Sequence, residues 1–418
     1  MNDRWQRAVP VYNYPLWTRP MYVMLGLAGV TIALVLWRMF AGLGPATGMN
    51  DVYAWGIWKT FNVMVLTGLG SGAFSIGIAA WLFKKHNLHV VMRTALLTSF
   101  LAYLSGIALL GVDVGRPWHF IWVLMPWRWN LHSPLLEVAV CMPAYAMFPL
   151  LLENVPPVLE WVHKNKPTYR GLVERAETIM KKFYPFIVGL AYVLPAMHQS
   201  SLGALMLLGG DRVHTLWQTP LLPLLYVWAA AFLGIACVAG TLLFCTIVWN
   251  RPIDLNVLVE LNKIAVILIC SWMAARFVDI LVRMKFMEMF KLNIFAGLFW
   301  METLFLGLAI YMLRDSARLR DPRLMFHAHL ITAIGGMLYR FDPTTLAFQA
   351  RPGAFYFPKA IEIFVSAGFV SLAIIAFCIA AKKLAILPAP MRTWRDMEGF
   401  EKSQAKADVT RAQYAVGD

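Results

Sequence analysis

Ten apolar runs, each long enough to span a bilayer and poor in charge, set the terms on which this chain can fold. They fall at 20–41, 55–83, 92–112, 134–152, 184–208, 221–249, 257–282, 292–313, 323–340 and 360–384. A helix rises about 1.5 Å per residue, so each run can cross a hydrocarbon layer of roughly 30 Å. Backbone placed in lipid must satisfy its own hydrogen bonds, and runs of this length do so as helices. The expectation is an all-α polytopic membrane protein of about ten transmembrane helices, arranged as two four-helix bundles plus two extra helices. The run at 323–340 is the shortest and the weakest of the ten as a span.

Composition supports the same class. Hydrophobic residues make up 60% of the 418 and charged residues 14%, whereas soluble domains carry roughly a quarter charged residues. The net charge of +14 invites a nucleic-acid reading only if the basic residues gather in one patch. Here they sit in short clusters between the apolar runs, so nucleic acid is set aside.

Those clusters predict an orientation. With the N-terminus cytoplasmic, one side receives 24 Lys and Arg, among them Arg4, Arg7, Lys84, Lys85, Arg93, Arg251, Arg318, Arg320 and the tail from Arg392 to Arg411. The other side receives 9, among them Arg116, Arg128, Arg283, Arg340 and Arg351. The positive-inside rule then places both termini in the cytoplasm of a bacterial inner-membrane protein. The predicted organisation is a cytoplasmic segment 1–19, a first bundle 20–152, a cytoplasmic linker 153–183, a second bundle 184–313, two further helices in 314–389 and a cytoplasmic tail 390–418. No small-residue cleavage site follows the first basic residues, and no removable signal peptide is expected.

The cysteines Cys141, Cys237, Cys245, Cys270 and Cys378 all lie in apolar runs, without metal-ligand spacing, and read as buried small residues. No metal site, iron–sulfur cluster or haem is expected in this chain. Bis-histidine haem needs two histidines facing each other within the bundle, and only His198 is deep. Gly68, Gly70 and Gly72 flank Leu69 and Ser71 mid-span with no Lys-Ser/Thr follower, which points to close helix packing rather than a phosphate loop. Trp118, Trp122, Trp127 and Trp129 in 117–130, and Phe355, Tyr356 and Phe357 near 358, read as interfacial aromatic belts or as a floor for a periplasmic partner.

Ionisable side chains inside spans are costly and are functional candidates by default. Glu137 follows Ser133 and Pro134 one residue past the capping-box position, so it is expected just inside the outer leaflet facing protein. It has a proton or quinone role, or it stabilises the helix N-terminus. His198 lies near mid-membrane beside Pro195, Gln199, Ser200 and Ser201, a combination suggesting a wet polar pocket. Arg276 and Asp279 are three apart and can neutralise each other, as an ion pair or as part of a quinone or proton site. Glu302 is near the bilayer centre without a local partner, so it is protonated or paired across helices. Lys59, Asn62, Asp113, Arg116 and His119 add polar groups at outer helix ends, and Glu362 is expected to be interfacial.

Asp113-Val114-Gly115-Arg116-Pro117-Trp118, the segment from Ser133 to Met142, Leu194 to Leu205, and Val213 to Gln218 resemble the NrfD / polysulfide-reductase membrane-subunit superfamily, closest to its HybB-type branch from respiratory nickel–iron hydrogenases. The resemblance covers about 20–390. It implies a membrane subunit without redox metals that takes electrons from a periplasmic ferredoxin-like iron–sulfur subunit, itself joined to a catalytic hydrogenase or molybdoenzyme subunit. Such a subunit exchanges those electrons with menaquinone or ubiquinone near the outer face, and proton translocation is proposed for some members. On that basis Asp113, Arg116, Glu137, His198 and Arg276 are candidates to hold the quinone. Glu137, His198, Asp279 and Glu302 are candidates to move its protons. The rival readings are a membrane subunit of a polysulfide or molybdopterin-type reductase, a secondary transporter with a mid-membrane site, and a plain anchor.

Overall fold

The computed structural model describes residues 8–390 apart from 13, 54, 252, 316–320 and 350–353. Arg4, Arg7, Arg318, Arg320, Arg351 and the tail beyond 390, on which the orientation count leans, lie outside the described residues. The described chain is a set of long helices: α1 Arg19–Ala41, α2 Trp58–Leu82, α3 His86–Asp113, α4 Pro134–Asn165, α5 Pro167–Leu207, α6 Leu222–Val248, α7 Leu255–Val282, α8 Ile294–Leu313, α9 Pro322–Phe341 and α10 Ala360–Lys383. Their starts carry the expected chemistry. Asp254, Asn293 and Asp321 each accept a backbone N–H from the first turn of α7, α8 and α9.

Among the described residues nine helices are long and apolar enough to cross a membrane. The helix short of that standard is α9, the weak run of the sequence. At 20 residues it equals α8 in length but lies along α6 and α8, with His329, Thr332 and Arg340 buried. A helix covered by protein can carry polar groups that a lipid-facing helix cannot.

The grouping differs from the expected order. The two extra helices are α1 and α10, which pack on each other at the edge. The bundles are α2–α5 and α6–α9, joined where α6 lies against α2 and α5. Burial follows position: 89% of the apolar window of α2 is covered, against 17% for α1. The expected linker 153–183 is helical almost throughout, with α4 running to Asn165 and α5 starting at Pro167.

Helix α2 is irregular, with π-helical turns at 58–65 and 78–82 around a break at Gly70 and Ser71. The break brings α2 against α6: a Cβ on Gly72 would lie 2.9 Å from the Gly234 carbonyl oxygen, and one on Gly234 would lie 2.5 Å from the Ser71 carbonyl carbon. The glycines of 68–72 therefore serve backbone approach.

Both ends of the described chain meet on one face. The Val9 N–H donates to the Leu387 carbonyl at 2.9 Å, and the Arg251 guanidinium donates to the carbonyls of Pro10 at 3.1 Å and Pro388 at 2.6 Å. Burial there pushes the Arg251 guanidinium down to about 10. This terminal face also holds the inner ends of α2 and α3; the opposite face is called distal below. Cys141 and Cys245 are buried, Cys237 and Cys378 half-buried, but Cys270 is exposed on α7, which corrects the expectation that every cysteine is buried.

Candidate functional site

The deepest charges sit in the distal half of the second bundle. Arg276 on α7 and Glu302 on α8 form an ion pair across helices, 5% and 0% exposed. Glu302 also accepts the Trp217 indole N–H at 3.3 Å. The Arg276 guanidinium lies among Phe299 at 4.8 Å, Tyr339 at 5.0 Å and Trp272 at 5.3 Å from its carbon to each ring centre. These ring faces hold a desolvated cation in place of water. Asp342, at the end of α9, is fully buried beside Glu302. With Arg340 also buried against Tyr226 and Tyr339, the cluster gathers two carboxyls and two guanidiniums.

Asp279 does not pair with Arg276, as the three-residue spacing suggested. Its carboxylate accepts from Arg283 Nε at 2.9 Å, four residues on, and from the Thr219 hydroxyl at 2.7 Å. Arg283 in turn donates to the carbonyls of Thr215 at 2.7 Å and Gln218 at 2.8 Å. Asp279 thus anchors the loop that carries Trp217. Arg276 is long enough to reach α8 instead, and there it meets a carboxylate with no intrahelical partner.

In the first bundle Glu137 hydrogen-bonds the Ser201 hydroxyl of α5, which also donates to the Met197 carbonyl at 2.7 Å. Glu137 is exposed on the flank of α4 rather than facing protein. Ser133 caps nothing with its side chain, and Glu137 lies in the first turn. Behind it, His198 is fully buried. The Val138 carbonyl, next to Glu137 in sequence, faces the His198 ring, but neither ring nitrogen reaches hydrogen-bond geometry. Tyr103 lies 5.6 Å from that ring, centre to centre, and Gln199 donates to the Thr67 hydroxyl at 3.1 Å and to the Tyr103 hydroxyl at 3.4 Å. His198, Gln199 and Ser201 are thus buried together with Tyr103 and Thr67, while Ser200 is not buried.

The remaining candidates separate. Asp113 is 1% exposed and faces Lys59 at 3.8 Å, near the ends of α1 and α10. Arg116 is exposed and does not join it. Glu362, expected to be interfacial, is fully buried at the start of α10. It accepts the Gly48 N–H at 2.6 Å and the Tyr356 hydroxyl at 2.5 Å, because its carboxylate ties two distal loops together. The single pocket expected from Asp113, Arg116, Glu137, His198 and Arg276 is thus divided into separate groups on the distal half.

Sequence reasoning missed Arg340 and Asp342. Arg340 was counted among outer-loop charges, yet it is fully buried. Its guanidinium donates to the Tyr226 carbonyl at 2.7 Å and lies 4.2 Å from that ring's centre. A Cβ on Gly68 would sit 3.7 Å from its Nη2, so Arg340 stands between the bundles. The signal was available: Arg and Asp two residues apart at the end of the most polar run.

The histidines do not fit bis-histidine haem. Among the described residues the deep rings are His198, facing Tyr103, and His329, bonded to Asn262 at 2.8 Å. The histidine ring pair in contact, His86 and His89, is stacked face to face at 5.9 Å on the terminal face, outside the bundle core. No group of three His, Cys, Asp or Glu able to hold a metal occurs among the described residues.

Residues 45–342 match the profile of the family described as polysulphide reductase, NrfD. The chain is 30% identical over 391 residues to a probable Ni/Fe-hydrogenase 2 b-type cytochrome subunit of Escherichia coli K12, covering 93% of this chain and 97% of that protein. It is 28% identical over 407 residues to a menaquinone reductase integral membrane subunit of Nitratidesulfovibrio vulgaris Hildenborough, covering 90% and 92%. A stretch of 100 residues is 26% identical to a selenate reductase subunit of Mesobacillus selenatarsenatis, 23% of each chain.

Proposed function

The chain belongs to the polysulphide reductase NrfD family, and from that premise we propose that it is the quinone-reactive membrane subunit of a respiratory oxidoreductase in the bacterial inner membrane. A periplasmic iron–sulfur subunit, joined to a catalytic subunit, exchanges electrons with quinone at the distal half of this chain. Both termini are then cytoplasmic and the distal face is periplasmic. The exposed rings of Trp118, Trp127, Phe355 and Phe357 on that face supply the floor on which the partner rests.

One observation carries the reading: Glu137 is exposed on the flank of α4 while bonded to Ser201, with His198 buried one helical turn behind. A carboxylate open to the bilayer is costly. Its use is to meet a polar headgroup that arrives from lipid. A quinone ring entering between α4 and α5 brings its carbonyl oxygens to Glu137 and Ser201. Reduction takes two electrons from the iron–sulfur partner and two protons, and oxidation of the quinol returns both. Glu137 exchanges protons at the ring, and His198, held among Tyr103, Gln199 and Val138, is the group behind it. Protein charges hold and move the protons.

The names of the relatives speak of a hydrogenase, a menaquinone reductase and a selenate reductase, so the ultimate donor or acceptor belongs to the partner. The test is to purify the chain with its companions and assay quinone-linked turnover. Co-purification of an iron–sulfur protein and bound quinone is the expected result; the absence of both removes the proposal.

A further inference from the structure

A cavity of about 450 Å³ opens near the terminal face among α2, α3, α4 and α5. Its walls are largely apolar, but three tyrosines, Tyr145, Tyr184 and Tyr192, reach it together with Glu153. The other charges of its lining are matched: Arg93 pairs with Glu160, and Lys181 lies 3.9 Å from Glu177. Glu153 has no ion-pair partner among the described residues. A carboxyl that no cation neutralises, in a chamber with room for several waters, binds and releases protons rather than stabilising the fold.

The inner end of the chamber leads toward the site. The Tyr145 hydroxyl is buried and has no hydrogen-bond partner among the described residues, a costly arrangement for a buried polar group. Its ring meets Tyr103 edge-on at 4.8 Å between centres. Tyr103 is the residue that receives Gln199 and faces His198. From Glu153 to Glu137 the chain therefore offers carboxyl, tyrosine, tyrosine, amide with imidazole, hydroxyl and carboxyl.

We propose that this cavity is a proton-entry vestibule, with Glu153 as its exchanging group and Tyr145 and Tyr103 as the file that joins the terminal face to His198 and Glu137. The proposal rests on the quinone reading above. When quinone is reduced, two electrons arrive from the partner at the distal face. The matching protons leave water at the terminal face, pass Glu153 and the tyrosine hydroxyls by exchange, and end on the ring oxygens; quinol oxidation reverses the path. Glu153 touches neither quinone nor reacting atoms and is a positioning and relay residue.

The test uses the assembled complex in liposomes, with electrons supplied through the partner subunits and a pH dye on the terminal-face side. Glu153→Gln is expected to lower quinone-linked turnover roughly tenfold, within the range that a lost proton-transfer group produces. It should also enlarge the solvent deuterium isotope effect and abolish the dye response, while photoreactive-quinone labelling stays at the wild-type level. Glu153→Asp should restore turnover, and Tyr145→Phe, which keeps the ring packing, should reproduce the loss if Glu153→Gln fails to assemble. Wild-type turnover and isotope effect in an assembled Glu153→Gln or Tyr145→Phe complex would overturn the vestibule and leave the quinone site standing. Failure of the wild-type complex to label with quinone overturns the functional reading itself, and the vestibule with it.

Discussion

Arg276 and Glu302 neutralise each other across two helices, at a depth where either alone would be an uncompensated charge. Removing one partner of such a pair costs about 3–5 kcal/mol, while replacing both with apolar groups of similar size is often neutral. Arg276→Ala is therefore expected to destabilise the protein by about 3–5 kcal/mol. The pair Arg276→Met with Glu302→Met should recover most of that loss. If Glu302 handles protons, the double variant will be stable yet slow in quinone-linked turnover. Thermal unfolding and turnover measured on the same preparations separate the two roles.

Glu137→Gln keeps the size of the side chain and its contact with Ser201. Because Glu137 is exposed on the helix flank, assembly should be unchanged. Turnover should fall by roughly 10²-fold, the lower range for a lost general acid or base. Ser201→Ala should have a smaller effect, seen mainly in the quinone KM. Steady-state assays over a range of quinone concentration distinguish these outcomes; an unchanged Glu137→Gln rate removes the residue from the mechanism.

Much of this was legible in the chain. The run lengths give the spans, and Glu137, His198, Arg276 and Glu302 stand out because charge inside an apolar run is conspicuous. What escaped did so for reasons of packing. Arg340 and Asp342 hide at the end of a run polar enough to pass for loop, and it is polar because α6 and α8 cover it. Arg276 and Asp279 share a helix, but the reach of an arginine let it choose α8. Glu362 and Glu137 exchanged the expected exposure, since whether a helix end meets lipid or a distal loop depends on contacts between segments hundreds of residues apart.

The backbone contact between α2 and α6 makes a further prediction. Gly72→Ala places a methyl within 2.9 Å of the Gly234 carbonyl oxygen, and overpacking of this kind costs about 1–3 kcal/mol. The variant should unfold at lower temperature, and Gly26→Ala, whose added Cβ meets nothing within 4 Å, serves as the matched control.

His214 lies in the loop that carries Trp217, stacked on Phe295 at 4.4 Å. Burial holds its imidazole below the usual value. The folded loop favours the neutral ring, so its stabilisation is present above the ordinary histidine pKa of about 6.5 and declines as pH falls toward the depressed folded value. Hydrogen exchange of residues 213–219 should quicken as pH drops through that window, after correction for the intrinsic pH dependence. His214→Phe should abolish the change.

The most direct test is where a quinone touches this chain. With the assembled complex and a photoreactive quinone, labelled peptides are expected from the α4–α5 flank, at residues around Glu137 and 197–201, and competition by unlabelled quinone should remove them. Labelling confined to the terminal face, or none that quinone competes for, would contradict the account.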